Sequence, residues 1–200
     1  METRNVEAYA QMHRDQSYGT TAVKMRRYIE PWVQLSAPRT LLDYGAGQGR
    51  FGAIIDVPSV TERHLFDPAI PEIAALQKER YDYVICIDVL EHLEPDEVDG
   101  VLADIARLTD RALIIVTTAP AQAILPDGRN AHTTIRPGPW WGERIRAAFG
   151  TAVKIPVWRK NRAGFKTYTS PPGEWVAFAG KLAAAQARHH RAKAAVKRAG

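Results

Sequence analysis

LLDYGAGQGR, residues 41–50, joins a short apolar run to three glycines spaced G-x-G-x-G. Thr40–Tyr44 reads as a buried strand that feeds a tight turn, and Asp43 stands two residues before the first glycine. The spacing falls one residue short of the G-x-G-x-x-G of dinucleotide-binding turns. A pyrophosphate favours backbone N–H groups, a helix N-terminus and no nearby anion, so Asp43 opposes it. A ligand carrying an ammonium and a sulfonium gains from the same carboxylate, because opposite charges attract strongly in a partly dry cleft.

Working outward from this turn, apolar strands alternate with helical stretches. Arg63–Pro68 is expected to be a second strand stopped by its proline. Tyr81–Leu90, YDYVICIDVL, is apolar on both faces, as a central parallel strand requires. Ala112–Thr118, ALIIVTT, is a further buried strand. Helices are predicted over Phe51–Val57, over Glu72–Glu79, after Pro95 with Val98, Val101, Leu102, Ile105 and Leu108 on one face, and over Trp140–Phe149. Ala152–Arg159 and Glu174–Gly180 are expected to form a terminal strand pair. One or two helices with a break at Ser17-Tyr18-Gly19 precede the glycine turn. The pattern is that of an α/β protein, a doubly wound, mostly parallel Rossmann-like sheet. Only fourteen residues, Pro68–Tyr81, separate the second strand from Asp82, so the third strand is expected to be shortened or missing, with an antiparallel pair ending the sheet.

The chain of 200 residues is 46% apolar and 24% charged, an ordinary globular profile with one domain and short appendages. A lone cysteine, Cys86, lies in an apolar run, which excludes an intrachain disulfide and a Cys-rich zinc site and fits a reducing, cytoplasmic setting. Neither a signal core nor a bilayer-length apolar stretch is present, so no membrane role is expected. Residues 181–200 hold six Lys or Arg and no acid; taking them from the net +5 leaves residues 1–180 near −1. The organisation expected is a helical cap over 1–36, a ligand-binding domain over 37–180 and a basic Ala-rich tail over 181–200.

Ligands of open α/β sheets bind at the carboxyl ends of the strands. Asp43, Asp67, Asp88 and the loop from Asp127 to His132 all fall there. Asp67 lies eighteen residues beyond Gly49, at the strand end where an acid accepts both hydroxyls of a ribose. Taken in order, LLDYGAGQG, HLFDP and YDYVICIDVLEHLEP resemble the first, second and fourth motifs of class I S-adenosylmethionine-dependent methyltransferases. The resemblance covers roughly residues 40–120. It implies that Asp43, Gly45, Ala46, Gly47 and Gly49 cradle the methionine part of the cofactor, that Asp67 takes the ribose, and that Asp88 borders the sulfonium. Without a full third strand, the adenine pocket is expected from Pro68, Ala69 and Ile87.

A long loop, Ala119–Trp141, follows the strand at 112–118 and is expected to arch over the cleft as an acceptor lid. It offers His132 as the first candidate for a base and Asp127 as the second; Trp140 and Trp141 either anchor the loop or stack on a ring. The D-x-x-E-H run Asp88, Glu91, His92 with the later His132 is similar to the metal site of small-RNA 3′-end 2′-O-methyltransferases, which would hold Mg²⁺ or Mn²⁺. This chain has Asp88 where that family has Glu, and the alternative is that Glu91 and His92 shape a turn. The expected activity is methyl transfer to an O or N of a polar small-molecule or saccharide acceptor. The alternatives are metal-assisted methylation of RNA ribose, with nucleic acid drawn to the basic tail, and a non-catalytic S-adenosylmethionine-binding partner or regulator. Tyr9, His13, Tyr18 and Gly19 either close over the cofactor or pack as ordinary helix.

Overall fold

The computed structural model describes residues 4–15, 20–49, 51, 55–157 and 159–199. Two helices, α1 (Val6–Asp15) and α2 (Thr20–Ser36), lead into a six-stranded sheet. Its strands are β1 (Thr40–Tyr44), β2 (Glu62–Phe66), β3 (Tyr83–Ile87), β4 (Ala112–Thr117), β5 (Val153–Ile155) and β6 (Arg162–Lys166). They lie in the order β2-β1-β3-β4-β6-β5, the first four parallel, with β6 antiparallel to β4 and β5 antiparallel to β6. The expected mixed sheet is therefore present, and no strand lies between β2 and β3 in sequence.

Continuous burial of β3 and β4 follows from helices on both faces. On one face pack α3 (Val98–Leu108) and α4 (Gly138–Phe149), with Val98, Val101, Leu102, Ile105 and Leu108 all buried as the helical spacing predicts. Trp141 is fully buried in that layer and donates its indole N–H to the Arg136 carbonyl (3.1 Å), so it anchors the lid. On the other face Met25, Ile29, Trp32 and Val33 of α2 meet Phe178 of α5 (Glu174–Ala199), whose ring stacks on Trp32 at 4.0 Å. No helix among the described residues is long and apolar enough to cross a membrane.

Two segments differ from expectation. Glu72–Glu79 is not a helix: a single 3-10 turn, Pro71–Ile73, is followed by irregular chain. The segment has no buried residue in that turn and so no apolar face to fix a helix against the sheet. Glu174–Gly180 is not a strand but the first turns of α5, and that helix runs unbroken past residue 181. The partner of β5 is instead Arg162–Lys166. For the helix expected over Phe51–Val57, residues 52–54 lie outside the described residues, as do Tyr18, Gly19 and the side chain of His13.

Candidate active site

A cavity of about 540 Å³ opens at the carboxyl ends of β1, β2, β3 and β4. Asp43, Gly45, Ala46, Gly47, Asp67, Pro68, Ala69, Ile87 and Asp88 line one part of it; Tyr9, Thr117, Pro120–Ala123, His132 and Arg162 line the other. The sheet thus gathers almost every residue that the motifs single out. Gly49 turns away toward Leu65 and a neighbouring depression, and Asp127 sits outside the cavity at the exposed tip of the loop, paired with Arg129 (2.7 Å).

The glycine turn is held by backbone bonds. The N–H groups of Gly45 and Ala46 both donate to the Phe66 carbonyl (2.8 and 3.0 Å), clipping the turn to the end of β2. Gly45 takes φ +76°, and a Cβ there would come within 2.3 Å of Val89 Cγ2. Asp67 is buried and bridges two turns: Oδ2 accepts from the Gly47 N–H (2.8 Å) and Oδ1 from the Ala69 N–H (2.9 Å). Each carboxylate oxygen keeps a lone pair for a further donor. Among the described residues four carboxylates (Asp43, Asp67, Asp88 and Glu97) and one guanidinium, Arg162, line the cavity, so the part formed by Asp43 and Asp67 favours a cation. A cationic cofactor with a ribose fits these residues on charge and on the volume that small-molecule sites commonly have.

Asp88 has φ +56°, a rare conformation for a residue other than glycine, and its Oδ1 takes both the Arg162 ion pair and the Thr117 hydroxyl (3.1 Å). Arg162 was not singled out from the sequence. The antiparallel register that sets it opposite Thr117 brings it to the cavity, and nothing short of that pairing signals it.

Of the four residues suggested as metal ligands, His92 and His132 meet edge to face with ring centroids 4.9 Å apart, but each of the four is engaged by another group. Asp88 is engaged by Arg162; Glu91 is buried, with Oε1 accepting from the Thr117 N–H (2.8 Å). His92 donates from Nδ1 to the Ala131 carbonyl (2.9 Å), and His132 donates from Nδ1 to that of Ala119 (2.6 Å). Among the described residues no group of three or more His, Cys, Asp or Glu is placed to hold a metal ion, and this corrects the metal reading. Glu91 serves the turn instead: its backbone carbonyl accepts from the Thr134 N–H (3.0 Å), tying the lid to the end of β3.

The lid is itself folded. Asn130 spends its amide on backbone, donating to the Ala121 carbonyl (2.9 Å) while its Oδ1 accepts from the N–H groups of Ala121 (2.9 Å) and His132 (3.0 Å). This staple sets the His132 backbone. The bond from Nδ1 to Ala119 then fixes the tautomer, leaving the lone pair on Nε2. Burial pulls the His132 pKa below its ordinary value, so the ring is neutral near pH 7. Tyr9 of α1 closes the same side, donating to the carbonyls of Ala131 (2.7 Å) and His92 (3.1 Å).

Burial pushes the Glu91 carboxyl up to about 7, against the hydrogen bond from Thr117, and its Oε2 has no partner. The folded state then binds a proton that the unfolded chain has lost above pH 4.5. Glu91 is best tolerated below pH 4.5, and stability falls as pH rises from there through 7. Glu91→Gln removes the charge while keeping an oxygen for Thr117. It is expected to stabilise the protein at pH 8 by roughly 3 kcal/mol, at about 1.4 kcal/mol per pKa unit, and to do little at pH 4.5. Urea unfolding at the two pH values reads the difference; an equal effect at both would contradict a titrating Glu91.

The methyltransferase domain family matches residues 19–166. The chain belongs to it. Solved structures of low sequence identity share the fold. Mitomycin 7-O-methyltransferase aligns at TM-score 0.56 and 13% identity over 74% of this chain and 54% of that one. The methyltransferase domain of bacterial CtHen1 aligns at 0.52 and 10%, over 72% and 98%. Human N-acetylserotonin methyltransferase, solved with S-adenosylmethionine, aligns at 0.50 and 14%, over 71% and 50%. This methyltransferase-domain chain spans about half the length of the first and third of these. No curated relative matches it in sequence.

Proposed function

We propose that the chain transfers a methyl group from S-adenosylmethionine to an oxygen or nitrogen of a small polar acceptor, with His132 as the base. Asp43 and the turn Gly45–Gly47 would hold the methionine part, Asp67 the ribose hydroxyls, and Pro68, Ala69 and Ile87 the adenine. The bound cofactor supplies a methyl carbon activated by a sulfonium. The observation that carries the reading is His132: a half-buried imidazole lining the cavity, its Nδ1 proton committed to Ala119 and its Nε2 lone pair available. Nε2 accepts the proton that an O–H or N–H acceptor sheds, and the lid holds acceptor and base together in a site with little water. Asp127, tied to Arg129 outside the cavity, takes no part in this reading.

Label transfer from methyl-labelled S-adenosylmethionine into a small-molecule extract tests it, alongside calorimetric titration of S-adenosylhomocysteine. His132→Ala is expected to lower kcat roughly 10²–10⁴-fold, with S-adenosylhomocysteine affinity changed less than about threefold. In the wild type kcat should rise with pH up to a plateau, with its midpoint below the ordinary histidine value, since only the neutral ring accepts a proton. Unchanged turnover in His132→Ala would remove it as the base. Label found only in nuclease-sensitive polymer would remove the small-molecule acceptor, and tight S-adenosylhomocysteine binding without any transfer would favour a non-catalytic partner.

A further inference from the structure

Arg162 is the one Lys or Arg among the described residues lining the cavity, and it sits at the lid end. Its side chain is only 13% exposed, and burial lowers its pKa from the ordinary value. One of its five N–H groups goes to Asp88 Oδ1. Among the described residues no other hydrogen bond engages the guanidinium, and none of its nitrogens is both buried and unpartnered. The remaining donors therefore meet open space, and the space beside them is the cavity. Donors that face the cavity in this way are free to bind an acceptor that enters it.

Its position relative to His132 is set by one short segment. Arg162 pairs with Thr117 across the antiparallel ladder, the Thr118 N–H donates to the Asn161 carbonyl (2.8 Å), and Ala119 holds His132. The two anchors are two residues apart, roughly 7 Å along extended chain, within the span of a small molecule. The lid adds Pro120, Ala121, Gln122, Ala123 and Ala131 to the lining of the same cavity.

We propose that the acceptor is a compact organic acid: Arg162 takes its carboxylate through the planar fork of the guanidinium, while its hydroxyl or amine faces His132. The inference rests on the methyltransferase reading above and adds the substrate class. A carboxylate suits the fork because two parallel N–H···O bonds satisfy both partners. Asp88 stays on the opposite edge and keeps the guanidinium oriented.

The test uses the full chain saturated with S-adenosylhomocysteine and titrates benzoate against benzyl alcohol, two probes of like size that differ in charge. The wild type is expected to bind benzoate at least about tenfold more tightly, the scale of one charge-assisted hydrogen bond. Arg162→Gln should erase the preference in a protein that still folds and keeps its S-adenosylhomocysteine affinity, with some fall in unfolding midpoint because Asp88 loses its ion pair. Arg162→Lys should restore only part of it, since an ammonium supplies charge without the fork. Equal binding of the two probes by the wild type, or a preference that survives in Arg162→Gln, overturns the proposal. So does a loss of S-adenosylhomocysteine affinity in a folded Arg162→Gln, which would assign the guanidinium to the cofactor. Failure of the wild type to bind S-adenosylhomocysteine at all would instead bring down the methyltransferase reading.

Discussion

Gly45→Ala is expected to abolish measurable S-adenosylhomocysteine binding, a loss of at least about 100-fold, in a protein that still folds. Two effects combine. The φ of +76° costs an alanine about 1–2 kcal/mol, and the new Cβ would lie 2.3 Å from Val89 Cγ2, so the turn or Val89 must move. Val89 packs against the core, which makes moving the turn the easier course. The Gly45 and Ala46 bonds to Phe66 and the Gly47 bond to Asp67 would all be disturbed by that shift. Gly128→Ala is the control: its φ is +85° but nothing lies within 4 Å of the added carbon. It should show the conformational penalty alone, as a modest fall in unfolding midpoint with unchanged affinity. Similar affinity in the two variants would mean that the glycine turn does not shape the cofactor site.

The second large effect concerns stability. Lys166 at the end of β6 is fully buried, ion-paired with Glu174 and lodged between the rings of Tyr168 and Trp32, at 4.4 and 4.9 Å from their centroids. Burial lowers the Lys166 pKa, and Glu174 draws it back up. Removing one partner strands a buried charge, so Glu174→Met and Lys166→Met are each expected to cost about 3–5 kcal/mol. The double variant should recover most of that loss, because two apolar side chains of similar volume replace two charges. Urea unfolding of the four proteins gives the cycle; additive losses would show that the pair is not the source of either effect.

This pair also explains why one strand could not be read in the sequence. RAGFK begins and ends with a basic residue and looks like a surface loop, yet it is the antiparallel neighbour of β4. Both charges are tolerated because each meets a carboxylate supplied from far along the fold or from the next helix, Asp88 for Arg162 and Glu174 for Lys166. EWVAFAG reads as a strand because its apolar residues suit a sheet; of those apolar residues only Phe178 is buried in the helix, while Val176 is 78% exposed. By contrast β1, β3 and β4 were legible because burial on both faces writes itself as uninterrupted apolar sequence. The cavity's acids were legible for a related reason: a carboxylate at the end of an apolar strand stands out. The guanidinium facing them was not, since its place depends on register, and the use of His92 and His132 as donors to backbone depends on which carbonyl each imidazole meets.

A sheet that stops at β2 leaves one strand without an outer neighbour, and an open strand edge is a template on which another chain can add. Several features here discourage such growth. β2 is only five residues long and opens with Glu62, Arg63 and His64, of which Arg63 is exposed. Lys78 pairs with Glu62 (2.6 Å) and Gln77 with His64 (2.8 Å), so the irregular segment that replaces a third strand is fastened beside that edge by side chains. The lost strand is thus offset by charge at the margin, which guards the molecule against edge-to-edge self-association.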